Sequence, residues 1–157
     1  MDVLGVSVGF SGVGRRPVIT CVVLSGSYED PIYDEGCELK TAETEIVDQI
    51  DDLGRKLSSK LSARTLGAVV IRIADMAPTG SRAVGPRRRL MIEGALAYVC
   101  KTHKIPKIFY RSGKEVGEAL GISKADALQL GKDLDSKRPE ATSAALSALP
   151  KPSQNSS

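Results

Sequence analysis

Aromatic residues are scarce in this chain: four Tyr, two Phe and no Trp among 157 residues. That excludes a surface that grips single strands by stacking successive bases on several rings. Cysteine is nearly absent as well. Cys21, Cys37 and Cys100 are odd in number and form no C-x-x-C pair, so neither a disulfide framework nor a zinc site is expected. They read as free thiols of a reducing cytoplasm. The one histidine, His103, lies near the end of an expected helix beside Lys101 and Lys104. It is expected to face solvent rather than to act as a general base or metal ligand. No apolar run exceeds strand length, so nothing is expected to span a bilayer. The N-terminus lacks the basic, apolar and small-residue regions of a secretory leader, and no internal repeat is present.

What is there has the proportions of one globular domain, with 41% apolar and 26% charged residues, long enough to bury a core without staples. The net charge of +3 hides a strong polarity. Residues 28–52 carry ten acids against one base, Lys40, whereas residues 80–114 carry nine bases against one acid, Glu93. Such a chain is expected to present one face that attracts polyanions and another that repels them. The tight Arg87-Arg88-Arg89 run sharpens that expectation.

Val3 to Val8 reads as a buried strand ending in the glycine-rich turn Gly9 to Gly14, and Pro17 to Leu24 as a β-branched second strand. A hairpin turn at Ser25-Gly26-Ser27 should lead to a third strand between Tyr28 and Leu39. Thr41 can cap a helix whose apolar stripe is Ile46, Ile50, Leu53, Leu57 and Leu61. Leu66 to Ile73 is a fully apolar strand apart from Arg72. A loop at Pro78-Thr79-Gly80 and Gly85-Pro86 precedes a helix from about Arg88 to Lys101, expected to bury Met91, Ala95, Tyr98 and Val99. Ile105 to Tyr110 is a further strand. Ser112-Gly113-Lys114-Glu115 is a capping box for a helix stopping at Gly121, Ser123 caps the next helix, and Pro139 opens a last one reaching Leu149. Residues 1–149 then form one domain and residues 150–157 a disordered tail. The fold class is α/β: a mixed sheet of three antiparallel strands followed by parallel strands, flanked by helices.

Four segments together resemble the RuvC group of Holliday-junction resolvases, in the ribonuclease H-like superfamily. Val3-Leu4-Gly5-Val6-Ser7-Val8-Gly9 is similar to its first strand, normally apolar-Gly-Ile-Asp-Pro-Gly. Val69-Val70-Ile71-Arg72 resembles the central strand, which normally ends in Glu. Ser112 to Leu134 resembles the capped helix, glycine turn and Lys-bearing helix after the last strand. Glu140 to Leu149 is similar to the final helix, with its Asp-x-x-Asp-Ala pattern.

The resemblance implies four carboxylates around two divalent metals, Mg or Mn, that activate water and stabilise the leaving oxygen of a phosphodiester. Position by position it places Ser7, Arg72, Glu140 and Ser143 there, so only Glu140 keeps a carboxylate. The expectation is a degenerate domain without cofactor that binds nucleic acid, possibly branched DNA, or serves as an assembly subunit, and that is cytoplasmic and homodimeric. The resemblance also turns Arg82, Arg87, Arg88, Arg89 and Lys114 towards nucleic acid, DNA or RNA. One alternative is an active Mg- or Mn-dependent endonuclease using Asp75 and Glu140, with Asp2 or Asp135; odd spacing from Arg72 then demands a bulge or loop at Asp75. Another is an interaction module whose acidic face, residues 28–52, docks a basic protein partner. Val116 to Lys124 also resembles a helix-turn-helix, and Gly9 to Gly14 a phosphate-cradling turn; two packed helices and a strand connection are the plainer expectations.

Overall fold

A computed structural model describes residues 1–11, 15–75 and 84–151. The chain runs β1 (Val3–Ser11), β2 (Arg16–Gly26), β3 (Pro31–Leu39), α1 (Ile46–Ser62), β4 (Ala68–Arg72), α2 (Val84–Thr102), β5 (Lys107–Arg111), α3 (Gly113–Leu120), α4 (Lys124–Leu134) and α5 (Pro139–Leu146). The sheet order is β3-β2-β1-β4-β5. β1, β2 and β3 are antiparallel neighbours, while β4 runs parallel to both β1 and β5. This is the mixed sheet expected.

Period-two alternation along the central strands builds two cores. Leu4, Val6 and Val8 of β1, with Val69 and Ile71 of β4, meet Leu53 and Leu57 of α1 and Ile92 and Leu96 of α2. On the opposite face, Val3, Ala68 and Val70 meet Val116 of α3, Ala127 of α4 and Ala141, Ala144 and Ala145 of α5. Each fully buried Leu or Ile contributes about 1.5–3 kcal/mol relative to exposure, so both faces are strongly held.

Several local expectations change. α1 begins at Ile46, with Glu45 as N-cap and no side-chain cap. Thr41 instead accepts from the Glu43 amide at 3.2 Å, because a polar connection separates it from the helix. The hairpin turn is displaced to Ser27–Asp30, where the Asp30 amide donates to Ser27 Oγ. α2 starts four residues early, with Pro86 in its first turn, where no intrahelical donor is needed. Its buried stripe is Ile92, Glu93, Leu96 and Cys100, whereas Met91 and Tyr98 are exposed. An acid inside the stripe disguises it as a polar face.

The caps at Ser112 and Ser123 form as expected, the first as a complete capping box. α5 ends at Leu146, and the chain stays tied beyond it: the Tyr28 amide donates to the Pro150 carbonyl at 2.9 Å and Lys151 Nζ to the Ala119 carbonyl at 2.6 Å. The remaining tail residues, 152–157, lie outside the described residues, as do 12–14 of the glycine-rich turn. Among the described residues, no helix is long and apolar enough to cross a membrane.

α5 lies directly on β1 at Gly5. A Cβ there would sit 2.0 Å from the Ala141 carbonyl oxygen and 2.8 Å from the Ala145 amide nitrogen. Backbone cannot yield as a flexible side chain would, so Gly5→Ala is expected to destabilise the fold by about 3 kcal/mol, the upper end of overpacking costs. Urea unfolding checks this; a loss under about 0.5 kcal/mol would show that α5 can lift off the sheet cheaply.

Candidate functional site

Because α5 is pressed onto β1, its first turns reach the carboxyl ends of β1 and β4. Ser7 of β1 lies beside Arg72, the last residue of β4, in parallel register, and Arg72 lies beside Arg111 of β5. Ser7 is 7% exposed and Arg72 5%. Both alternate onto the sheet face covered by α3, α4 and α5. Ser143 is buried on α5 and its hydroxyl donates to the Glu140 carbonyl at 3.0 Å.

The buried guanidinium of Arg72 is held at both ends. Nη1 donates to the Ile73 carbonyl at 2.5 Å, and Nη2 is 3.5 Å from Asp75 Oδ2. Asp75 is also ion-paired with Lys124 and accepts from the Gly113 amide at 3.0 Å, at the start of α3. Glycine is required at 113, because a Cβ would come within 2.4 Å of Arg72 Nη2. Burial alone would raise the Asp75 carboxyl. The Lys124 bond, the Arg72 and Lys124 charges and the Gly113 amide outweigh it and hold the group below its usual range.

A second cluster lies alongside. Glu93 of α2, 1% exposed, accepts from the Ala74 amide at 2.9 Å and from Arg89 Nε at 3.2 Å. Arg89 Nη2 lies 3.6 Å from Glu140 Oε2. Burial pushes the Glu93 carboxyl up, against the opposing charge and hydrogen bond of Arg89. The two clusters, Arg72–Asp75–Lys124 and Arg89–Glu93–Glu140, together balance three cations with three anions. Glu93 and Lys124 are members that sequence reasoning missed. The one signal for Glu93 was its isolation among nine bases, four residues after Arg89.

This donor set does not fit two divalent ions. Ser7 carries no charge, Arg72 is a cation, and the Ser143 hydroxyl is engaged by its own helix. Glu93 and Glu140 are both directed at Arg89. Among the described residues, no three His, Cys, Asp or Glu side chains gather in a metal-binding arrangement. Asp75 does sit in a loop after β4, but it faces the α3 terminus and Lys124. The other two acids are elsewhere: Asp2 pairs with Arg64, and Asp135 binds Tyr33 and Arg138.

The basic run divides by role. Arg82 lies outside the described residues. Arg87 is exposed, while Arg88 donates to Gln49 at 2.6 Å and covers the Phe10 ring, and Arg89 belongs to the second cluster. Lys114 is exposed, with a long 3.9 Å pair to Glu118. The acidic segment is partly neutralised in space: Asp34, Glu35, Glu38, Asp51 and Asp52 all pair with bases of α1, its following turn or Arg138. His103 is half-buried and shares a 2.6 Å hydrogen bond with Ser58 of α1.

The shifts of Glu93 and Asp75 have opposite signs in stability. A raised Glu93 contributes stability that is complete below its ordinary value of 4.5 and is lost as pH rises towards its folded value. A lowered Asp75 contributes stability that is complete above 3.8 and is lost as pH falls through its folded value. Glu93→Gln is therefore expected to flatten the decline in stability above pH 4.5, and Asp75→Asn to flatten the acid-side loss below 3.8. Urea midpoints over a pH series measure both; unchanged slopes in the variants would remove these groups from the linkage.

Neither a protein-family model nor a curated protein sequence matches the chain. Solved structures do. RuvC of Thermus thermophilus superposes with a TM-score of 0.68 at 14% identity, covering 94% of this chain and 92% of that one. The same protein in complex with a Holliday junction substrate gives 0.67 at 15% identity, covering 94% and 91%. The yeast mitochondrial Holliday junction resolvase Ydc2 gives 0.56 at 13% identity, covering 92% and 74%. The chain therefore has the mixed-sheet, ribonuclease H-like fold of the RuvC Holliday junction resolvases.

Proposed function

We propose that this chain is a nucleic-acid-binding domain of RuvC fold, with branched DNA its first candidate ligand, that has given up two-metal cleavage and acts in the cytoplasm as a binding or assembly subunit. The observation that carries this reading is the buried guanidinium of Arg72 in register with Ser7. A divalent ion about 4 Å from that charge would be opposed by about 8 kcal/mol at an effective dielectric of about 20. With three cations balancing the three carboxylates there, repulsion of phosphate is also lower than at four unpaired carboxylates, which favours binding. The superposable RuvC bound to a Holliday junction substrate supports nucleic acid as the ligand class.

Arg87 and Lys114 are exposed basic side chains in the first turns of α2 and α3, the helices that follow β4 and β5. We assign phosphate contacts to them, with Arg82 as a third candidate. Arg88 and Arg89 serve mainly to hold α2 in place through Gln49, Glu93 and Glu140. Self-association fits the apolar side chains that α2 leaves in solvent, Leu90, Met91 and Tyr98. A homodimer meeting there would dissociate on Leu90→Glu, as sedimentation would record; a wild-type monomer at all concentrations would exclude it.

Titration of a four-way DNA junction across a salt series tests the binding. Arg87→Ala and Lys114→Ala are each expected to flatten the log–log salt slope by about one unit. No binding even at low salt would defeat the proposal. In the same assay, Mg²⁺ or Mn²⁺ is expected to leave the junction intact. Metal-dependent cleavage lost in Glu140→Gln would establish an active nuclease instead.

A further inference from the structure

Away from that site, β2 and β3 hold two thiols opposite one another. Cys21 and Cys37 are direct cross-strand partners in the antiparallel register, on the sheet face covered by α1. Cα atoms of antiparallel partners are about 4.5 or 5.5 Å apart, within the window that a disulfide spans. The two side chains leave the sheet side by side on that face, near Lys60 of α1, whose Nζ lies 2.8 Å from Glu35 Oε1. Cys21 is buried, whereas Cys37 is only half-buried on the edge strand. A cavity of about 120 Å³ opens between Glu35, Lys60, Arg64 and the apolar side chains of Leu4, Val23 and Leu66. It is large enough for a small oxidant and shares Glu35 and Lys60 with the surroundings of Cys37.

We propose that Cys37 and Cys21 form a peroxide-reactive thiol pair that closes reversibly into an intramolecular disulfide across β2 and β3. The neighbouring Cys21 thiol acts first to favour the Cys37 thiolate; burial opposes this and the Lys60 ammonium reinforces it, so the thiol is held well below its ordinary value. Cys21, beside Cys37 and buried, is shifted the other way and keeps its proton. This divides the roles. The Cys37 sulfur attacks a hydroperoxide oxygen; an S–O bond forms, the O–O bond breaks, and the departing hydroxide takes a proton to become water. Cys37 is oxidised by two electrons to a sulfenic acid. The Cys21 sulfur then attacks the Cys37 sulfur; S–S forms, S–O breaks, and hydroxide leaves with the Cys21 proton as a second water. A dithiol returns the pair to its reduced state by exchange. Cys100 is fully buried, with its thiol pushed up to about 12 by burial, and provides an unreactive internal reference.

The experiment treats the reduced full chain with one equivalent of hydrogen peroxide and maps thiols by mass spectrometry under non-reducing conditions. The expected product links the Cys21 and Cys37 peptides within one chain, leaves Cys100 free, and reverts with dithiothreitol. Cys21→Ser is expected to stop at a Cys37 sulfenic acid that a dimedone-type reagent traps, and Cys37→Ser to lose the rapid reaction. Lys60→Gln is expected to slow oxidation several-fold at neutral pH and much less at alkaline pH, where the thiol ionises unaided. The charged groups facing the pair in that pH profile are Lys60 and Glu35, the latter also approached by Arg64 at 3.9 Å. Circular dichroism of each variant separates lost reactivity from lost fold. Oxidation that falls on Cys100 first, or that yields only cross-links between chains, would overturn the proposal.

Discussion

The contact of α5 with β1 at Gly5 is the constraint on which the site depends. Only glycine permits the Ala141 carbonyl to approach that close to the strand, and the small residues of α5 let the whole helix follow. The helix can then deliver Glu140 and Ser143 to the carboxyl ends of β1 and β4, where Ser7 and Arg72 already lie in register. A similar intimacy at Gly131, whose Cβ would meet the Pro139 carbonyl at 2.3 Å, seats α4 against the start of α5. The arrangement of the site therefore follows from backbone proximity more than from its charges.

Those charges are organised around the buried guanidinium of Arg72. A buried Arg72 is tolerable only because its fork is satisfied by the Ile73 carbonyl and Asp75, and Asp75 is in turn held by Lys124 and the α3 terminus. Glu93 is tolerable for the complementary reason, with an amide and Arg89 as partners. Buried charges without such partners would cost several kcal/mol each. The ends of β1, β4 and the first turns of α2 and α5 are thus tied together by an ion network, and the exposed bases at the starts of α2 and α3 are left to face solvent.

The thiol pair lies beneath α1, towards the β3 edge of the sheet. It shares neither residues nor helices with the ion network, so its chemistry and nucleic-acid binding can be separated by mutation. Its ingredients are ordinary ones, two strand neighbours and a helix lysine. Their proximity is a property of register.

Sequence by itself determined most of the architecture: β-branched alternation marked the central strands, serine caps and Gly121 bounded α3 and α4, and Pro139 opened α5. The identities of Ser7, Arg72 and Ser143 were legible as well, because residue identity can be read one position at a time. Tertiary structure alone decided what those residues do. It turned α2 so that Glu93 and not Met91 faces inward, divided the Arg87-Arg88-Arg89 run between solvent and internal ion pairs, and paired Asp34, Glu35 and Glu38 with bases distant in sequence. It also set Cys21 opposite Cys37. Local propensity acts through neighbours along the chain, whereas burial, ion pairing and thiol proximity depend on neighbours in space, which a linear pattern does not contain.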